Sequence, residues 1–315
     1  MLASEYDAYG SCDVLHVRNV AEPRAPQADE IRIRVAAAGV NPKDTFVRKG
    51  RFRALSGDRF PKSPGYDWSG TVDALGASVT TLHAGQRAFG MVNGWEGQTC
   101  AQFINVRAAE AAPAPLRAEA HEAAALPLAA LTALQALEDV ARVRAGQRLY
   151  VNGASGGVGL FAIQLARSLG ATVTASASAK NEALCRTFGA QEFADYQTRP
   201  LEAQRAKFDV VFDVFGNLAF DAIGERLEDQ GILVTTVPSA AAFASIAATP
   251  SASERRMRLV VVESRAQDLI RLGDMFDRGQ LAVHIDAIYA LKNVRDAHAH
   301  VERKHTRGKV VVALE

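Results

Sequence analysis

The stretch Val151-Asn152-Gly153-Ala154-Ser155-Gly156-Gly157-Val158-Gly159 decides the fold of the second half of the chain. It follows the apolar run Arg148-Leu149-Tyr150-Val151, which has the composition of a buried strand. It precedes a segment in which Val158, Phe161, Ala162 and Leu165 recur at helical spacing, and Gly170 ends that helix. A glycine-rich loop between a strand and a helix is the context that a dinucleotide-binding fingerprint requires. Small residues are needed where the backbone turns tightly and where it approaches a pyrophosphate, and a glycine is needed where the helix packs on the strand. The helix N-terminus then offers N–H groups and a partial positive charge to the phosphates. Here Ala154 stands at the first position of the usual G-x-G-x-x-G pattern, with Gly156 and Gly159 at the other two.

Outward from this loop the pattern continues as strand alternating with helix. Strands are expected at Ala171 to Ala175, Phe208 to Val214, Gly231 to Thr236 and Arg258 to Val262, with a helix from Asn181 to Phe188 that stops at Gly189. This alternation predicts an α/β fold with a doubly wound parallel sheet. Towards the N-terminus the texture is β-rich. Glu30 to Val35 alternates polar and apolar, Gly70 to Leu75 and Arg87 to Val92 look similar, and Ser63-Pro64-Gly65, Leu75-Gly76-Ala77 and Asn93-Gly94 punctuate them. Between the two regimes, Ala120 to Leu137 reads as two helical pieces divided at Pro127. From Val283 the chain returns to short β runs, ending in Gly308 to Leu314. The order implies one domain built from both ends of the chain, residues 1–118 plus 270–315, with a nucleotide domain, residues 119–269, inserted between them.

The end of the second strand of the nucleotide domain indicates which nucleotide. An NAD site carries an Asp or Glu about 20 residues beyond the loop, for the ribose 2′-hydroxyl. Thr174-Ala175-Ser176-Ala177-Ser178-Ala179-Lys180-Asn181 has no acid; its hydroxyls and lysine suit a 2′-phosphate, and NADPH is the expected cofactor.

The bulk properties narrow the remaining classes. The 315 residues include 36 basic and 35 acidic ones, for a net charge of +1, which gives no reason to expect a nucleic-acid partner. No apolar run approaches the roughly 18 residues of a membrane span. The first residues lack the basic and apolar regions of a signal peptide, so the expected compartment is the cytoplasm. The three cysteines, Cys12, Cys100 and Cys185, are far apart and form no C-x-x-C pair, which argues against a disulfide framework or a thiolate zinc cluster.

Several segments carry a family resemblance. Gly153 to Gly159 resembles the A-A-S-G-G-V-G loop of the quinone oxidoreductase (zeta-crystallin-like) branch of the zinc-independent medium-chain dehydrogenase/reductases. In the same order along the chain, Ala38 to Asp44 resembles its a-G-v-N-p-x-D motif, Phe60 to Gly70 its P-x-x-P-G-x-D-x-x-G segment, and Ala124 to Ala133 its A-a-l-P-l-a-g-l-T-A segment. Asp195-Tyr196, Phe208 to Gly216 and Arg307 to Val311 are similar to later blocks.

The resemblance implies a Rossmann domain inserted in a GroES-like catalytic domain. It implies that Ser155, Gly156, Gly157 and Val158, with Gly159, cradle the pyrophosphate and that Ser178 and Lys180 hold the 2′-phosphate. Tyr196 would lie against the adenosine end, Lys304 or Arg307 would reach the same phosphate, and Phe215 and Gly216 would sit beside the nicotinamide ribose. Asn41 and Thr132 would contact the nicotinamide, and Tyr66 and Thr132 are candidate proton donors. It also implies a homodimer paired through the sheet edge at Arg258 to Val262. On the residues alone, Asn41 reads as a turn residue before proline and Thr132 as a hydroxyl bonded to its own helix.

No metal is expected. Zinc-dependent relatives place a cysteine near position 41 and a histidine near position 66, where this chain has Asn41 and Tyr66. His298, His300 and His305 are expected at the surface rather than as ligands. Without a metal to acidify an alcohol, the expected reaction is hydride transfer to an electrophilic small molecule. A quinone acceptor is the first reading, a conjugated enone or 2-alkenal the second, and a weakly catalytic NADPH-binding sensor the third. Phe46 and Phe52 stand where some family members carry tyrosines, and they suit an apolar stacking pocket.

Overall fold

The apolar runs after Gly146 form a six-stranded, wholly parallel sheet. In spatial order its strands are Glu192–Asp195, Thr172–Ala177, Arg148–Asn152, Phe208–Asp213, Leu227–Thr235 and Arg256–Leu259. In chain order this is 3-2-1-4-5-6, the doubly wound arrangement, in which the connection direction reverses between the first and fourth strands. The computed structural model describes residues 1–248 and 254–314 of the chain. The strands read as nearly continuous apolar runs because both faces of a parallel sheet are covered. Tyr150, Phe208, Val211, Leu227 and Leu233 form one such core, with the Tyr150 and Phe208 rings edge to face at 5.1 Å. Fully burying a side chain of this size contributes about 1.5–3 kcal/mol. The last strand ends at Leu259, short of the expected Val262, and Val261 is exposed.

The β-rich regions form a second sheet, largely antiparallel, in the order Ile285–Ala290, Lys309–Ala313, Glu30–Val40, Asp67–Leu75, Arg87–Met91 and Ala111–Pro113. Phe103–Arg107 pairs with the first half of Glu30–Val40, and only Ile285–Ala290 with Lys309–Ala313 is parallel. The alternation read in residues 30–35 turns Ile31, Ile33 and Val35 into the core, against Trp68 and Val72. Leu2–Glu5 and His16–Asn19 form a separate two-stranded ribbon.

Compactness divides the chain into Met1–Leu131 with Glu263–Gly279 and Val283–Glu315, and Thr132–Val262 with Gln280–Ala282. The first unit therefore extends past the expected boundary at residue 118, and it also takes residues 263–269. The helix Ala120–Ala125 belongs there because Ala124 and Ala125 pack on Ala37 and Val311. Gly39 makes that approach possible, since a Cβ there would lie 2.6 Å from the Ala124 carbonyl oxygen. Residues 263–279 join it through the helix Ala266–Asp277, whose Asp277 carboxylate accepts the N–H groups of Leu116 and Arg117 at 2.9 Å each, and through Asn93, which bonds Ser264.

The return to short β runs after Val283 is interrupted by a helix, Val294–Glu302. His298 on that helix is wholly buried, which corrects its expected surface position. On a helix, residues two apart face different ways. His298 points into the core, whereas His300 faces Tyr289 and Asp286, bonding each at 3.0 Å, and His305, beyond the helix, is exposed.

Candidate functional site

In the parallel-sheet unit the loop after Arg148–Asn152 is fixed by its own backbone. Gly153 takes the left-handed conformation, with φ of 82°, so the tight turn falls one residue before Ala154 and no glycine is needed at Ala154, which is buried. The N–H groups of Gly153 and Ala154 both donate to Ser176 O, at 3.2 and 3.0 Å, tying the loop to the end of the second strand. Gly156 caps the helix Gly157–Ser168, which carries no acid in its first turn. The first-turn N–H groups of a helix have no intrahelical carbonyl partner.

Gly159 and Gly156 behave differently. A Cβ on Gly159 would lie 2.4 Å from Gly153 O and 2.6 Å from Ala154 Cα, so this glycine lets helix and loop touch. A Cβ on Gly156 would meet only Gly153 O, at 3.5 Å. The space over Gly156 is therefore open to a ligand rather than filled by the protein. Ser155, Gly157 and Val158 are all partly exposed around it.

At the end of the second strand, Ser178 is partly buried and Lys180 exposed. Sequence reasoning passed over Asn181, a buried residue that joins the two halves of this corner. Its Nδ2 donates to Ser155 Oγ at 3.0 Å and to Ser178 Oγ at 3.2 Å, and its Oδ1 is buried without a partner. Tyr196, just past the third strand, has a half-exposed ring and is anchored by its N–H on Ala177 O.

On the other side of the switch point, the fourth strand ends in Asp213. Its Oδ1 accepts from Gly216 N at 2.8 Å and from Asn152 Nδ2 at 2.7 Å, and its Oδ2 accepts from Leu218 N at 2.9 Å. Burial pushes the Asp213 carboxyl above its ordinary range, against those hydrogen bonds. The same Asn152 amide donates to Asn217 Oδ1. The loop that presents the half-exposed Phe215 ring and the left-handed Gly216 is thus held from both sides of the switch point.

In the β-rich unit, Asn41 ends the strand Glu30–Val40 and precedes the helix Pro42–Arg48. Asp44 holds this corner: its Oδ2 accepts the Asn41 N–H and its Oδ1 the Gly65 N–H, each at 2.7 Å. Burial raises the Asp44 carboxyl to about 6. The Asn41 side chain is built into a buried ionic network. Its Nδ2 donates to Asp67 Oδ2 at 2.9 Å, and its Oδ1 accepts from Lys309 Nζ, which also pairs with Asp67 Oδ2 at 3.1 Å. Asp67 Oδ1 accepts the Leu128 N–H at 2.8 Å, at the start of the helix Pro127–Gln135, where a carboxylate is favoured. Thr132, with which the other unit begins, is buried.

Tyr66 is buried, and its hydroxyl donates to Trp95 O at 3.0 Å. Burial, helped by Asp44, holds its phenol far above the ordinary range, so its proton is not readily given up. Around it runs an aromatic row: Phe46 to Phe52 at 6.5 Å, Phe52 to Trp95 at 4.5 Å, and the Lys43 ammonium 3.8 Å from the Tyr66 ring centre. Lys304 and Arg307 are exposed and belong to this unit, on the loop after the helix Val294–Glu302; Ser178, Lys180 and Tyr196 belong to the other. Sequence reasoning quoted Lys43, Asp44, Asp67 and Lys309 inside motifs without assigning them work. Their signal was a charged residue inside an otherwise small or apolar segment, which burial makes costly unless it is paired. Among the described residues, no group of three or more His, Cys, Asp or Glu side chains is disposed to hold a metal ion.

Comparison with known proteins matches two family profiles, one described as an alcohol dehydrogenase GroES-like domain, over residues 27–115, and one as a zinc-binding dehydrogenase, over residues 188–312. The chain is 30% identical to the chloroplast envelope quinone oxidoreductase homolog of Arabidopsis thaliana, covering 99% of this chain and 98% of that one. It is 32% identical to the chloroplastic NADPH-dependent alkenal/one oxidoreductase of the same plant, over 99% of this chain and 79% of that one. Among solved structures, the quinone oxidoreductase from Coxiella burnetii is similar with a TM-score of 0.91 at 28% identity, over 100% of this chain and 99% of that one.

Proposed function

The chain belongs to the quinone oxidoreductase branch of the zinc-independent medium-chain dehydrogenase/reductases and is an oxidoreductase of that family; from that premise we propose that it reduces quinones with NADPH, without a metal. One observation carries the cofactor assignment. The glycine loop leaves room over Gly156, and the neighbouring strand end offers Ser178, Lys180 and Asn181 with no carboxylate to repel a 2′-phosphate.

The residues present fit the cofactor. The first-turn amides of Gly157 and Val158 with Ser155 would take the pyrophosphate, and the unpartnered Asn181 Oδ1 would accept a ribose hydroxyl. Ser178 and Lys180 would take the 2′-phosphate, and Tyr196 would cover the adenosine end. Phe215 would line the nicotinamide ribose. Bound NADPH supplies the hydride. The protein's part is to orient and to exclude water. Lys309 and Asp67 fix which way the Asn41 amide faces, and Asp67 also holds the Leu128 amide at the start of the helix Pro127–Gln135. Tyr66 supplies a rigid ring and pins the Trp95 backbone, and Phe46, Phe52 and Trp95 offer aromatic faces to a flat acceptor.

A second reading, reduction of the C=C bond of an enone or 2-alkenal, has its own support. Phe46 and Phe52 lack hydroxyls for a second quinone carbonyl, and the relative at 32% identity bears an alkenal/one name. The test is NADPH and NADH oxidation by the purified protein with 1,4-benzoquinone, 9,10-phenanthrenequinone and a simple enone, with a chelator control. NADPH-preferring, chelator-insensitive quinone turnover is expected. Turnover with the enone alone would move the assignment to the second reading, and a preference for NADH would remove the Ser178 and Lys180 argument.

Among the described residues no helix is long and apolar enough to cross a membrane. We place the enzyme in the cytoplasm as a homodimer joined through the sheet edge Arg256–Leu259. Among the described residues that strand pairs on one side only, and an unpaired edge is a template for a second copy. Size-exclusion chromatography with light scattering would return a monomer if this is wrong.

A further inference from the structure

Lys43 lies in the β-rich unit among aromatic rings, and none of the roles above uses its charge. Its ammonium donates to Gly94 O at 2.8 Å and stands 3.8 Å from the Tyr66 ring centre and 5.2 Å from that of Trp95. The carboxylates nearest to it in charge are already engaged: Asp44 by the Asn41 and Gly65 amides, Asp67 by Lys309, Asn41 and the Leu128 amide. Among the described residues no carboxylate pairs with Lys43. A lysine seated on rings and one carbonyl, with N–H donors to spare and no counter-ion, is set up for an acceptor atom brought by a ligand. The flat faces of Phe52 and Trp95 beside it fit a conjugated carbonyl compound.

We propose that Lys43 hydrogen-bonds the carbonyl oxygen of the acceptor and delivers the proton to it as hydride arrives. The inference rests on the oxidoreductase reading above and supplies its missing proton donor. Hydride from NADPH forms a C–H bond at the far end of the conjugated system, and the displaced π pair moves onto the carbonyl oxygen. The Lys43 N–H bond breaks as the O–H bond forms, and the neutral amine regains a proton from water. NADPH is oxidised by two electrons, the acceptor is reduced by two, and one solvent proton is consumed. The enol so formed tautomerises to hydroquinone or ketone. Burial lowers the Lys43 ammonium to about 8, opposed by Asp44 on its own helix and by Asp67. Tyr66 lies beneath it, held well above the ordinary phenol range, Glu96 flanks Trp95, and the Lys309 ammonium is tied to Asp67. The charged form is the proton donor, so activity is full below that value and falls as pH rises through it.

Two measurements test this. The first follows kcat and KM for quinone reduction across pH in the wild type, Lys43→Gln and Lys43→Arg. Lys43→Gln should lose about 100-fold in kcat and lose the alkaline decline, with KM for NADPH unchanged. Lys43→Arg keeps the charge but cannot release a proton in this range, so it should keep KM for the quinone and still lose kcat and the decline. The second uses no cofactor: 4-nitrophenol, a stand-in for the reduced oxygen, is added to the protein at a pH below its own midpoint. The phenolate band should grow with the wild type and Lys43→Arg and not with Lys43→Gln. A Lys43→Gln enzyme with wild-type kcat and an intact alkaline decline would overturn the proposal, and so would equal ionisation of 4-nitrophenol by wild type and Lys43→Gln. If the wild type turns over no acceptor, the oxidoreductase reading fails instead, and the 4-nitrophenol result still decides whether Lys43 binds an oxyanion.

Discussion

The phosphate loop and the Asn41 corner solve the same problem, holding polar atoms in fixed directions, by opposite means. Residues 153–159 do it with backbone alone: a left-handed Gly153, two amides on Ser176 O and a helix N-terminus. The Asn41 corner does it with four side chains drawn from three places in the chain, Asn41 with Asp44, Asp67 and Lys309, all buried. The backbone device needs only short-range sequence and tolerates whatever surrounds it. The side-chain device is stronger per bond in its low-dielectric setting, but it fails as a unit when one partner is removed.

The largest expected effect lies in the second region. Lys309→Met leaves the Asp67 carboxylate buried with no cation, which should cost about 3–5 kcal/mol in denaturant unfolding. Lys309→Met with Asp67→Leu should recover part of that loss, and a double mutant as unstable as the sum of the singles would deny that the two side chains act together.

The phosphate loop should break more gently, and in two separable ways. Gly159→Ala drives a Cβ into Gly153 O and should destabilise by about 1–3 kcal/mol. Gly156→Ala has room in the free protein and should unfold as the wild type does. Its methyl takes ligand space, and NADPH affinity measured by calorimetry should drop about tenfold, or 1.4 kcal/mol. Equal effects of the two alanines on folding would erase the distinction drawn between these glycines.

This contrast also governs what the sequence revealed. The loop, the parallel sheet and the acid-free strand end were legible because their determinants are neighbours along the chain. Gly153 to Gly159 could be read as one phrase, and Ser178 to Lys180 as another. The partners of Asn41 could not be found the same way. Lys309 follows it by most of the chain's length, and no periodicity in Gly308 to Leu314 says which strand that segment will join. His298 was misplaced for a different reason: Val294, Ala297 and Val301 recur at helical spacing inside a stretch read as short β runs, and the helix forms because those three pack into the sheet core.

His298 gives a test by pH. Burial, with the Arg48 charge adding to it, lowers its imidazolium to about 3, so the folded protein holds it neutral. A depressed folded value means that its contribution is present above the ordinary value of 6.5 and is lost as pH falls from there towards 3. In that window the stability should decline by up to about 1.4 kcal/mol per pH unit from this group alone. His298→Phe should flatten the decline in acid unfolding curves, and an unchanged slope would show that other groups govern it.

The smallest effect is expected at the surface. Lys180 is exposed, so Lys180→Ala should reduce the preference for NADPH over NADH only about fivefold, and less at high salt. A loss of all discrimination would mean that Lys180 alone, rather than the corner joined by Asn181, reads the 2′-phosphate.

The strand Glu30–Val40 sits in its sheet between Asp67–Leu75 and Lys309–Ala313. One neighbour is made soon after it and the other only after the whole nucleotide-binding unit has been translated. During synthesis, then, Ala37 to Val40 must wait with an open edge while Asp67 lacks its lysine. The nucleotide-binding unit has all its strands in hand before that wait is over. On a ribosome the two halves of this enzyme should mature in the reverse of the order in which they begin, and the interval between them is when a chaperone would be of most use.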